Sequence, residues 1–78
     1  MQYIVKYFPV RFTKEDISQL VSEAREINGI IQVIQGDLVA SAKHSIGLLE
    51  LDYDKPMDML IQAYLTSKQI EIFKKYKV

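Results

Sequence analysis

The chain has 78 residues, 49% of them hydrophobic and 26% charged, with ten basic and ten acidic side chains that sum to a formal net charge of zero. That is room for one domain with a thin core, residues 1–78, and the balance excludes a disordered chain and argues against a general nucleic-acid binder, which needs a basic field. There is no cysteine, hence neither a disulfide framework nor a thiolate metal site, and no apolar run approaches the roughly 20 residues of a membrane span.

The first ten residues hold one lysine and alternate in character, unlike a signal peptide, so a cytoplasmic location is expected. Residues 3–8 are rich in aromatic and β-branched side chains and read as a strand, which Pro9 should end for want of an N–H. Val10, Arg11 and Phe12 form a short loop. Thr13 then opens a helix, with Asp16 three residues on as a short-armed capping box. Ile17, Leu20, Val21, Ala24 and Ile27 recur at helical spacing as one apolar stripe. Asn28-Gly29 is a natural stop, because both residues tolerate positive φ.

Residues 30–34 and 38–42 read as two strands joined by a tight turn at Gln35-Gly36-Asp37, a β-hairpin. Residues 46–51 read as a short helix capped by Ser45. Residues 52–56 are a turn and 57–64 a further strand. Thr66 or Ser67 caps a last helix with Ile70, Phe73 and Tyr76 inward, although Ile70-Glu71-Ile72-Phe73 also alternates like a strand. The order βαββαβα fits an α+β open-faced sandwich: a four-stranded antiparallel sheet with helices packed on one face.

The segment Ala42-Lys43-His44-Ser45-Ile46-Gly47-Leu48-Leu49 resembles the Ala-Lys-Ser-Ile-Met-Gly-Leu-Leu of the HPr phosphocarriers, at the start of their short second helix. The family pattern can be laid without a gap from Thr13 to Lys55, where Gly36, Ala42, Lys43, Gly47, Leu48, Leu49 and Lys55 coincide. The resemblance implies the HPr fold, with a last helix shorter than usual, and points to the bacterial sugar phosphotransferase system.

In that family phosphate rides on a histidine in a Gly-x-His-Ala-Arg-Pro loop. The layout puts Thr13 at the histidine, Glu15 at the arginine and Asp16 at the proline, so the phosphocarrier position is degenerate. Thr13 cannot replace an imidazole as a reversible carrier and reads as a plain N-cap. Glu15 and Asp16 suit the helix dipole themselves and would repel a phosphate, with Arg11 and Lys14 as a partial offset. The family's second regulatory position, a serine phosphorylated by a kinase in some bacteria, falls on His44, with Ser45 one place on. Ser45 and His44 are therefore the phosphate-switch candidates, against a reading of Ser45 as a cap and His44 as an exposed loop residue.

Asp52, Asp54 and Asp58 lack the alternation and central glycine of a calcium loop and read as a solvated turn. Lys74, Lys75 and Lys77 complement a helix C-terminus. Val10, Phe12, Leu20, Leu48 and Leu51 are the candidates for an apolar protein contact on the face through which the family meets its partners; closing the core is the alternative for them. No nucleophile–base pair, phosphate loop or metal cluster is visible. The expected function is a non-catalytic regulatory or interaction domain, neither an enzyme nor dependent on a cofactor. Its partner would be a protein, a second copy included, and the alternative is a phosphorylation-dependent switch at the serine near the second helix in sugar uptake or catabolite control.

Overall fold

A computed structural model describes residues 1–78. Four strands, β1 (Gln2–Val10), β2 (Asn28–Gln35), β3 (Leu38–Ser41) and β4 (Met57–Leu65), form one antiparallel sheet in the order β1-β4-β2-β3. A 3-10 turn (Lys14–Asp16) leads into α1 (Ile17–Arg25); α2 (Ser45–Leu49) and α3 (Ser67–Lys74) complete the chain. No helix is long and apolar enough to cross a membrane.

The faces follow from alternation. Along β4 Met57, Met59, Ile61, Ala63 and Leu65 are buried, while Asp58, Leu60, Gln62 and Tyr64 turn to the open face. Ile31 and Val33 on β2 and Ala40 on β3 continue the inner layer. The α1 stripe Ile17, Leu20, Val21 and Ala24 packs on it, as do Leu48 of α2 and Phe73 of α3, in a core of 20 buried residues, all of them hydrophobic. Among these buried side chains only Tyr76 carries a polar group that needs a hydrogen-bond partner.

Three boundaries differ from the sequence expectation. Pro9 does not end β1: it pairs with Asp58, and the strand runs on through Val10. Its carbonyl accepts from the Val78 N–H at 3.1 Å, away from β4, so its nitrogen also faces off the ladder, where no N–H is missed. Asn28-Gly29 is not a helix cap: α1 ends at Arg25, and Asn28 and Gly29 open β2 opposite Tyr64 and Ala63. Gly29 has φ 140°, and a Cβ there would lie 2.5 Å from the Ala63 Cα, so the glycine serves backbone approach to β4. Ser45 does not cap α2; it is the first helical residue, and His44 stands at the cap with extended backbone and no side-chain bond. The last helix does form, on a Thr66 cap: the Thr66 hydroxyl accepts from the Gln69 N–H at 3.2 Å, and the Gln69 side chain accepts from the Thr66 N–H at 2.9 Å.

After α3 the chain returns to β1. Arg11 donates its N–H to the Tyr76 carbonyl at 2.8 Å, and Val10 and Lys77 form an antiparallel bridge. The Tyr76 hydroxyl donates to Glu23 Oε1 at 3.0 Å, while Lys75 Nζ holds Glu23 Oε2 at 2.9 Å. Glu23 of α1 therefore ties down the end of the chain.

Gly29→Ala should destabilise the protein by about 3 kcal/mol in urea unfolding, from overpacking plus a strained φ. Gly36→Ala, at φ 59° with nothing within 4 Å of the added carbon, should cost only about 1 kcal/mol. Burial, and then the Glu23 carboxylate, push the Tyr76 hydroxyl above its ordinary 10.0. The folded form therefore keeps this proton where the unfolded chain loses it, so stability is unaffected below pH 10.0 and falls as pH rises beyond it. Alkaline unfolding followed by circular dichroism should show a shallower decline for Tyr76→Phe, with a remainder from Tyr53 and Tyr7, whose hydroxyls are also raised.

Candidate functional site

Thr13, the residue that the resemblance sets at the phosphocarrier histidine, lies at the entry to α1. Thr13 has the extended backbone of an N-cap, and its carbonyl accepts from the Asp16 N–H at 3.0 Å. The side-chain bonds run from threonine to aspartate: Asp16 Oδ2 accepts from the Thr13 N–H at 2.8 Å and from the Thr13 hydroxyl at 3.1 Å. Glu15 beside it is held charged below its ordinary range, first by its own backbone N–H and then by the Thr13 hydroxyl. The first turn, which would otherwise attract an anion, thus carries two carboxylates of its own. Thr13 itself is exposed.

Residues 43–45 are fixed against the other end of α1. Lys43 Nζ donates to the Ile27 carbonyl at 2.7 Å, and Arg25 Nε donates to the Lys43 carbonyl at 2.8 Å. A cation thus meets the carbonyl end of α1, where the helix dipole favours it. The Lys43 N–H bonds Ser41 Oγ at 3.1 Å and the His44 N–H bonds the Ser41 carbonyl at 3.2 Å, closing the turn out of β3. Gly47 packs against Ala40, where a Cβ would stand 3.3 Å from that of Ala40. At its far end Tyr53 donates its hydroxyl to the Leu48 carbonyl at 2.6 Å.

These bonds leave His44 and Ser45 exposed at the start of α2. A groove of about 590 Å³ between α1 and α2 is lined by Lys14, Ser18, Ser22, Arg25, Ser45 and Leu49, among others. His44 makes no side-chain hydrogen bond and no salt bridge, so nothing orients its ring as a catalytic base requires. No three His, Asp or Glu side chains converge as metal ligands. Two of the three aspartates of the turn region have separate duties: Asp52 Oδ1 accepts from the Asp54 N–H at 3.0 Å, and Asp58 accepts from the Tyr7 hydroxyl at 3.2 Å.

The five residues expected to form an apolar contact do not lie on the surface. Val10, Phe12, Leu20, Leu48 and Leu51 are all buried, with Leu20 and Leu48 at 0% exposure. The reason is layer thickness: with helices on one sheet face only, the loop before α1 and the inner side of α2 are needed to close the core. Phe12 is gripped edge-on by Tyr53 and Tyr76, at ring separations of 5.5 and 6.0 Å. The apolar side chains that α2 does present are Ile46, 76% exposed, and Leu49, 54% exposed. Spacing carries the signal that separates them, because Ile46 and Leu49 lie three apart on one side of the helix and Leu48 on another, with Leu51 beyond the helix end.

Comparison with known proteins finds no matching family model, no matching curated protein and no matching solved structure.

Lys43→Ala should loosen the start of α2 and cost about 1–2 kcal/mol, from a hydrogen bond to a charged group lost at a half-buried carbonyl. Hydrogen exchange should quicken at the amides of residues 44–48, while those of β4 keep their protection relative to global stability.

Proposed function

We propose that the chain is an HPr-like protein-interaction domain without phosphocarrier activity, and that its working surface is the outer side of α2 with the adjoining groove on α1. The observation that carries this reading is the fixed presentation of Ile46 and Leu49. α2 has only five residues, yet Lys43, Arg25, Gly47 and Tyr53 hold it from several directions. Two large aliphatic side chains exposed on a well-bonded support, one of them (Leu49) in the groove that Lys14 and Arg25 also line, suit a partner with an apolar centre and an acidic rim. The βαββαβα order and the Ala42–Leu49 segment support the family. The carboxylates at Thr13 support the loss of phosphate transfer.

A second reading rests on Ser45. Its hydroxyl is exposed in the first turn of α2, and it shares the groove with Arg25 and Lys14. A phosphate added there would face two cations and would change the charge of the proposed surface.

Intact mass after incubation with phosphoenolpyruvate and Enzyme I, and separately with ATP and the serine kinase that acts on HPr proteins, separates the readings. No added phosphate in either reaction is the outcome expected of a plain interaction domain. Phosphate lost only in Ser45→Ala would establish the switch, and phosphate lost only in His44→Ala or Thr13→Ala would overturn the proposal. A partner captured by the parent protein should bind the double variant Ile46→Ser, Leu49→Ser at least about tenfold more weakly, with thermal stability unchanged, since both side chains already face water.

A further inference from the structure

The sheet has an unoccupied edge along β1, and the alternation of its backbone is fixed by two bonds. The Pro9 carbonyl accepts from the Val78 N–H and the Arg11 N–H reaches the Tyr76 carbonyl, both away from β4. In an antiparallel ladder this parity alternates, so Tyr3, Val5 and Tyr7 also turn their N–H and C=O groups off the sheet. Tyr76 to Val78 already runs beside the last residues of β1 as the beginning of a fifth strand, bridged at Val10 and Lys77. The remainder of the edge, from Gln2 to Phe8, has no neighbour.

Beside that edge a cleft of about 370 Å³ opens between β1 and α3. Ile4, Phe8, Ile70 and Phe73 contribute its apolar lining. Lys6, Lys74 and Lys77 also line it, and no carboxylate does. Glu71 engages only Lys74, at 3.2 Å, and Lys6 and Lys77 have no ion-pair partner.

We infer that β1 binds an extended acidic peptide by strand addition, its backbone pairing with Tyr3, Val5 and Tyr7 and its inner side chains entering the α3 cleft. Backbone pairing alone would accept any strand, so the flanking chemistry decides the occupant. The cleft takes an aliphatic side chain, and the unpaired Lys6 and Lys77 select carboxylates two residues to either side of it, on the same face. A second copy of this chain paired edge to edge would bring its own three lysines against these, so the same charges disfavour self-pairing. The surface is distinct from the α1–α2 groove, and the two proposals stand or fall separately.

The probe is a capped heptapeptide, Thr-Glu-Thr-Ile-Thr-Glu-Thr, which puts both glutamates and the isoleucine on one side of a strand. Titrated into the full chain, it should bind saturably, shift the amide resonances of Tyr3, Val5 and Tyr7 and slow their hydrogen exchange. The amides of Ile4, Lys6 and Phe8, already paired with β4, should keep their exchange rates. Replacing both glutamates by lysine, or N-methylating the peptide backbone on its pairing side, should weaken binding at least about tenfold. Val5→Pro should also lose it while leaving the fold intact, because the Val5 N–H serves no bond within the sheet. Lys6→Glu with Lys77→Glu should reverse the preference toward the lysine peptide. Binding that survives N-methylation, that ignores the sign of the charge, or that is absent altogether overturns the inference. So does self-association of the free protein that Val5→Pro abolishes, which would make a second copy the occupant.

Discussion

The structure depends on the alternation of β4. This strand lies between β1 and β2 and hydrogen-bonds to both. Its odd-numbered residues, Met57 to Leu65, floor the core, and its even-numbered ones turn away from the helices. A slip of one residue would send Met59 and Ile61 to the open face and Asp58 and Gln62 into the core, a cost no local adjustment recovers. The close approach of Gly29 to Ala63 holds β2 to the same register. Through β4 the parity passes to β1, which is why Pro9 fits in that strand and why Tyr3, Val5 and Tyr7 face outward.

On the helical side the same economy makes each end of α1 a fixed point. At its start Asp16 takes up the Thr13 N–H and hydroxyl; at its end Lys43 takes up the Ile27 carbonyl. The first contact holds the Asp16 carboxylate at the positive end of α1. The second anchors the turn that launches α2. In the middle, Glu23 holds Lys75 and Tyr76 and so secures the last turn of the chain. α1 is thus the member through which α2 and the chain end are held in one arrangement.

What the sequence discloses is the part governed by periodicity. The stripe from Ile17 to Ala24, the hairpin around Gly36-Asp37 and the alternation after Met57 locate their elements correctly, because each pattern extends over several residues. Isolated signals were ambiguous for physical reasons. Pro9 breaks a strand only when its nitrogen faces a neighbour, which depends on the ladder. Gly29 satisfies both a helix stop and a close strand approach, and only the position of Ala63 distinguishes them. Five residues of α2 show less than two turns, so the spacing of Ile46 and Leu49 is the one sign that they share a side apart from Leu48. The exposed side of α2 was therefore the least legible part of the candidate site, although a short helix is expected at residues 46–51, close to the observed Ser45–Leu49.

The strand order also has a consequence in time. β1 and the β2–β3 hairpin never touch as neighbours; β4 joins them, and it comes after both in the chain. During synthesis the hairpin can close as soon as Ser41 is made, and α1 can coil beside it, but β1 has no partner until residues 57–65 arrive. Pairings that span the length of the chain, such as Gln2 with Leu65, raise the contact order and slow the committing step. In that interval the alternating run from Gln2 to Phe8 is unpaired on both sides. Lys6 in its middle and Pro9 near its end give a nascent strand of this kind protection against pairing with the wrong chain.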